Sequence, residues 1–240
     1  MRFVLMHKMN EELEKGLPPD QEMLAGLGAM MGEAGQKGIF QGGEGLKPSA
    51  QRVHLAYKNG KRTLTNFPFD KQTELVARYS ILKVRSQQEA LEACDQLAAA
   101  VGDVELFLGP LVENWDLGFE PKPAQAPLRF MITHKADARS ESELSADPKA
   151  LAKLRAVTDE MTKSGVLQAA GAFKSTSHGA RVRFTSDKPT VIDGPFSESK
   201  EWVAGFAIFE LPSKAEAIEW ATRFGNLVKV DEVEIREMAD

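Results

Sequence analysis

Slid along itself by 127 residues, the spacing between His7 and His134, the 240-residue chain meets a second copy of itself without a net gap as far as the second helix. Arg2-Phe3 falls on Arg129-Phe130, His7-Lys8 on His134-Lys135, Asp20 on Asp147, Leu24 and Leu27 on Leu151 and Leu154, and Gly38 on Gly165. Further on, Lys47 falls on Lys174, Pro68-Phe69 on Pro195-Phe196, and Glu74, Val76 and Ala77 on Glu201, Val203 and Ala204. A repeat of fixed period means one supersecondary unit used twice. Between the copies, Glu120-Pro121-Lys122-Pro123-Ala124-Gln125-Ala126-Pro127 is rich in proline and poor in apolar side chains, so it reads as a stiff, extended linker. The expected division is a first repeat over 1–119, a linker over 120–127 and a second repeat over 128–240.

Each copy reads β-α-β, hairpin, β-α-β. In the second, Leu128–Thr133 is a strand, and Asp147-Pro148 supplies an N-cap and an N1 proline for a helix whose apolar stripe is Leu151, Leu154, Val157 and Met161. A strand over Val166–Phe173 and a hairpin from about Arg181 to Ile192 follow. Next comes Val203–Leu211, apolar almost throughout and so expected to be covered on both faces. Ser213-x-x-Glu216 is a capping box that recurs as Ser86-x-x-Glu89, and Ile218, Ala221 and Phe224 match Leu91, Cys94 and Leu97 at helical spacing. Cys94 is therefore expected in a core, as a small hydrophobe. The order of elements is an α+β plan of two ferredoxin-like βαββαβ units, each with a hairpin insertion and helices on one sheet face.

With 42% apolar and 27% charged residues the composition is that of a soluble globular protein. The net charge is −5 and the basic residues are scattered, which argues against a nucleic-acid surface. One cysteine excludes an intramolecular disulfide framework, no His/Cys cluster has metal-ligand spacing, and neither a dinucleotide fingerprint nor a haem motif is present, so neither metal nor cofactor is expected. The N-terminus starts on a strand-like segment, and no apolar run approaches membrane-spanning length, so the expected location is the cytoplasm, away from membranes.

The most specific local signal is Thr190–Glu201, Thr-Val-Ile-Asp-Gly-Pro-Phe-Ser-Glu-Ser-Lys-Glu, in which a β-branched pair runs into a rigid corner carrying a carboxylate. This stretch, with Ala180–Phe184 before it and Ala204-Gly205-Phe206 after it, resembles the signature of the YCII-related, or DGPF-domain, family. The resemblance implies a dimeric α+β barrel, here formed within one chain, which can oligomerise further. It also implies a His–Asp pair as the chemistry-bearing group: His134 with Asp193, with His7 in the matching place of the first copy. Some relatives are encoded beside extracytoplasmic-function sigma factors, which implies a sensing or accessory role as the alternative.

The two copies have kept different pieces. The first retains Gly42-Gly43-Glu44-Gly45-Leu46-Lys47-Pro48-Ser49, similar to a family segment, and the second retains Asp-Gly-Pro-Phe, with Asn66 standing where Asp193 would be. Either one composite site combines Glu44, Lys47 or Ser49 with Asp193, or a redundant half has drifted. Arg181 and Lys174 flank the corner and suit recognition of a small acidic ligand, since arginine offers carboxylates a bidentate fork, or else they are charged strand edges. Two functions follow: a small-molecule isomerase or lyase moving a proton through His134 and Asp193, or a non-catalytic ligand-binding protein. On the first, His134 titrates above His7, which lacks a charged partner.

Overall fold

Asp20 and Asp147 each stand before a long helix with the side chain accepting a backbone N–H of the first turn, from Met23 and Lys149 respectively. These N-caps start α2 (Gln21–Gln36) and α5 (Pro148–Lys163), and Ser86 and Ser213 do the same for α3 (Gln87–Val101) and α6 (Lys214–Val228). Only the serine half of each expected capping box is seen, and the Glu89 carboxylate takes the N–H of Arg85 instead. The two remaining helices are single turns, α1 (Glu11–Glu14) and α4 (Ala138–Glu141). All three helix pairs, and the 3₁₀ turns Ser49–Gln51 and Thr176–His178, start and end 127 residues apart.

The computed structural model describes residues 1–67, 75–142, 144, 147–185, 188–199 and 202–239. Pro68, Phe69, Glu74, Lys200 and Glu201, used in the sequence reading, lie outside the described residues. Twelve strands form one large antiparallel sheet: β1 (Arg2–Lys8), β2 (Phe40–Gly45), β3 (Val53–Lys58), β4 (Lys61–Asn66), β5 (Val76–Val84), β6 (Val104–Pro110), β7 (Leu128–Lys135), β8 (Leu167–Phe173), β9 (Ala180–Arg183), β10 (Thr190–Asp193), β11 (Val203–Glu210) and β12 (Glu232–Ala239). Among the described residues no helix is long and apolar enough to cross a membrane.

Strand pairing does not respect the halves. β1 lies between β11 and β12, and β7 lies between β5 and β6, so each half's first strand is held by the other half's last two. The local order is β2-β11-β1-β12 on one side and β8-β5-β7-β6 on the other. The expectation that 1–119 and 128–240 each close their own sheet is therefore corrected: both four-strand sets mix the two. A local periodicity names an element without naming its neighbour, which is why the exchange escaped the sequence reading.

The strands bury both faces. On β1, Phe3 and Leu5 join a cluster with Met30 and Ala34 of α2 and Trp220 and Phe224 of α6, whereas Val4 and Met6 join Tyr79, Ile81, Met131, Phe173 and Phe206. A third cluster sets α3 and α5 against Leu55, Leu82, Leu106, Phe130 and Ile132, and it includes Cys94. At the end of the pairing path, Leu46 beside β2 bridges Leu111 beside β6, flanked by Val112 N–H to Gly45 O at 2.8 Å and Lys47 N–H to Pro110 O at 3.0 Å. The matching junction 127 residues on pairs Met238 with Phe173, with Lys174 N–H to Glu237 O at 2.9 Å.

One exchange within these junctions is informative. Arg52 stands opposite Gly109 and donates from Nη2 to Lys47 O at 3.3 Å; in the second half the glycine comes first, Gly179, and the arginine second, Arg236, which donates to Lys174 O at 2.6 Å. A Cβ on Gly109 would lie 3.1 Å from Arg52 Cγ, and one on Gly179 3.2 Å from Arg236 Cδ, so each guanidinium stem occupies the space its glycine leaves. Arg52→Gly is expected to destabilise the fold by about 2–4 kcal/mol, the cost of stripping a buried hydrogen-bonded charge from its partners. Adding Gly109→Arg copies the second half's arrangement into the first and is expected to recover at least half of that loss in urea unfolding. A double variant no more stable than Arg52→Gly alone overturns the equivalence.

Candidate functional site

His134 shares strand parity with Phe130 and Ile132, which face α3 and α5, and it sits in register with Arg78 on β5 and Leu106 on β6. Asp193 ends the edge strand β10, is 68% exposed, and accepts from Lys214 Nζ at 2.7 Å. The structure does not bring the pair together. Burial, with Arg78 adding to it, lowers the His134 pKa to about 4. His7 keeps some exposed surface, but its ring lies 5.3 Å from that of Phe224 and its Nδ1 is buried without a hydrogen-bond partner among the described residues. Burial and Lys8 lower it also to about 4. The expectation that His134 titrates above His7 is corrected, because desolvation governs both imidazoles.

The sign of the consequence is definite. Each folded-state pKa lies below the unfolded value of 6.5, so on acidification the unfolded chain binds protons first, and stability falls as the pH drops from about 6.5 towards 4. Asp193→Asn is expected to leave the His134 titration unmoved, as read from side-chain NMR across the pH range.

The other expected ligand groups are each occupied separately. Glu44 is held by Arg129, which also binds Glu113; Lys47 Nζ meets Asp116 at 2.7 Å; Ser49 donates its Oγ–H to Glu14 at 2.6 Å; and Lys174 Nζ meets Glu237 at 2.7 Å. No composite of Glu44, Lys47 or Ser49 with Asp193 forms. Cys94 is fully buried and its thiol is pushed up to about 12 by burial, with Asp95 adding to it. Native-state labelling by a thiol reagent is expected to be slow and to accelerate on unfolding; fast stoichiometric labelling of the folded protein contradicts this.

The Asp-Gly-Pro-Phe corner serves packing. Gly194, joined to Pro195 by a cis peptide, lies so close to the carbonyl of Thr176 that any Cβ would collide with it, and Phe196 N–H donates to Thr176 Oγ1 at 2.9 Å. The Phe196 ring then lies 4.1 Å from the Arg181 guanidinium. Arg181 is not the exposed rim expected of it. It is 7% exposed and donates to Glu234 Oε2 at 2.9 Å and to the Glu198 carbonyl at 2.9 Å.

Arg181 belongs to a buried ionic cluster at the ends of β1, β9 and β12. Lys8 (3% exposed) faces Glu234 Oε2 at 3.2 Å, Arg236 Nη1 lies 3.4 Å from Glu234 Oε1, and Arg183 Nε donates to Glu232 Oε2 at 2.8 Å. Burial alone would raise the Glu234 carboxyl, but Lys8, Arg181 and Arg236 together hold it down at about 2. Beside the cluster opens a cleft of about 330 Å³ lined by Lys8, Met9, Asn10, Arg183, Thr185, Asp231 and Glu232. Lys8 Nζ and Glu232 Oε1 are buried there without hydrogen-bond partners among the described residues. The Lys8 contact with Glu234 is thus an ion pair lacking hydrogen-bond geometry.

At the equivalent place of the other half stands a histidine–carboxylate pair that the sequence reading passed over. His54 Nε2 lies 3.1 Å from Glu105 Oε2, Lys135 Nζ donates to the same oxygen at 3.0 Å, and Phe107 stacks on His54 and leans on Trp202. Burial lowers the His54 pKa more than Glu105 raises it. The pair coincides with the repeat offset: 127 residues after His54 and Phe107, which are cross-strand partners, stand Arg181 and Glu234, also cross-strand partners. That double mismatch was the available signal. Glu105→Gln is expected to lower the His54 pKa further, and an unchanged NMR titration counts against the pairing.

Among known proteins, an uncharacterized protein of Rhizobium meliloti (strain 1021) is 30% identical over 80 residues, which make up 33% of this chain and 64% of the relative. The chain therefore spans less than two thirds of that protein. The second part of the chain, residues 128–239, matches the YCII-related domain, the family whose signature Thr190–Glu201 resembles.

Proposed function

We propose that this is a cytoplasmic small-molecule-binding protein, built by tandem duplication of a YCII-related unit, whose cleft beside Lys8 takes a small carboxylate-bearing ligand. Three correspondences support the duplication: the helix boundaries at a constant offset of 127, the paired junctions Leu46–Leu111 and Phe173–Met238, and the Arg52/Gly109 to Gly179/Arg236 exchange. The orders β2-β11-β1-β12 and β8-β5-β7-β6 support two ferredoxin-like sets, each exchanged between the halves, and the Leu46–Leu111 bridge supports their closure into a barrel.

The observation that carries the binding reading is the Lys8 ammonium, buried at the cleft wall with one carboxylate 3.2 Å away and no hydrogen bond. A buried ammonium has three donors, and leaving them unmet costs free energy that a bound carboxylate would offset. Proton transfer through His134 and Asp193 has no such support, since one faces the helices and the other is held by Lys214. An accessory role beside a sigma factor rests on the resemblance alone.

The test is a panel of small carboxylates, acetate to malonate, screened by thermal shift and isothermal titration. Lys8→Met keeps the stem length and leaves Glu234 with Arg181 and Arg236. Binding to the native protein that falls at least tenfold in this variant, about 1.4 kcal/mol, is the expected result. Equal binding by both proteins rejects the site.

A further inference from the structure

The cleft's charges say more than that a carboxylate fits, and the following rests on the binding reading above. Lys8 and Arg183 line it with Asp231 and Glu232. Behind that lining, Arg181 and Arg236 face Glu234 and Glu141. Cations and anions are equal in number in each layer. A purely anionic ligand would therefore enter a site already balanced and leave an uncompensated negative charge where water is largely excluded.

Two buried atoms lack hydrogen-bond partners, and they are of opposite kinds. Lys8 Nζ can only donate and Glu232 Oε1 can only accept. One nitrogen links their surroundings: Arg181 Nε lies 3.1 Å from Glu234 Oε2, the ion partner of Lys8, and 3.4 Å from Glu232 Oε1. The remaining oxygen of Glu232 is taken by Arg183. A ligand satisfying the cleft must present an acceptor and a donor close together and carry no net charge.

We infer that the cleft binds a zwitterionic amino carboxylate, its carboxylate on Lys8 and its ammonium on Glu232. A hydroxy acid offers the same donor and acceptor but brings a net negative charge, and a dicarboxylate places a second anion against Glu232. A cleft of about 330 Å³ suits a small amino acid and lies at the lower end of the range for small-molecule sites.

The experiment titrates the full chain with glycine, L-alanine, L-lactate, malonate and trimethylglycine at neutral pH, read by isothermal titration. Glycine and alanine are expected to bind at least tenfold more tightly than lactate or malonate. Trimethylglycine keeps the charges but cannot donate from nitrogen, and is expected to lose at least tenfold against glycine. Glu232→Gln is expected to erase the preference for alanine over lactate, and the unmodified-protein panel stands by itself if that variant does not fold. Lactate or malonate binding as tightly as alanine, with Lys8→Met abolishing it, overturns the amino-carboxylate assignment and leaves the carboxylate site intact. Binding by none of the five overturns both.

Discussion

The exchange of central strands is the constraint on which the rest of the structure depends. β1 finds its hydrogen-bond partners on β11 and β12, some 200 residues away, and β7 finds its own on β5 and β6. Neither half can satisfy its first strand alone, so a chain cut at the linker would leave two central strands unpaired in the middle of apolar sheets. Both faces of these strands are buried, alternate residues going to the helices and to the shared interior. A slip of one residue would turn Phe3 and Leu5 inward and Val4 and Met6 outward, which fixes the register as firmly as the backbone bonds do. Long-range pairing of this kind also predicts slow folding, because closing such loops precedes any gain from contacts.

Much of this was legible in the sequence. Caps are local chemistry, so Asp20, Asp147, Ser86 and Ser213 located all four long helices. The stripe through Leu91, Cys94 and Leu97 placed the cysteine in a core, as found. Partner choice is not local, and nothing in the period of a strand says which neighbour completes it. The site was misread for a different reason. Strand alternation puts His134 on the face of Phe130 and Ile132, away from any carboxylate, and applying that parity to the histidine would have separated it from Asp193 beforehand.

The Asp-Gly-Pro-Phe corner shows how a specific motif can owe its residues to packing. Gly194 abuts the Thr176 carbonyl, Phe196 binds Thr176 and covers Arg181, and Arg181 in turn reaches the Glu198 carbonyl. Glu141 anchors the same turn from the other side through its bond to the Thr176 N–H, as Glu14 anchors Ser49 in the first half. The corner thus fixes the guanidinium that holds Glu234 and sets the wall of the cleft. Its influence on any ligand runs through Arg181, while the Asp193 carboxylate is spent outside on Lys214.

The two halves place different chemistry on one scaffold, and the differences come in matched pairs. Where the second half sets Arg181 against Glu234, the first sets His54 against Phe107; where the first sets Arg52 against Gly109, the second sets Gly179 against Arg236. Cross-strand neighbours touch, so a change at one is tolerated only with a change at the other, and an ion pair can become a stacked ring pair without a buried charge being stranded. The outcome is two unlike clefts. One is aromatic, with His54, Phe107 and Trp202 closing on each other, and the other is ionic, with an ammonium and a carboxylate oxygen left unmet beside open volume. Filling the first and charging the second concentrates recognition at a single site, which a symmetric pair of clefts would have divided.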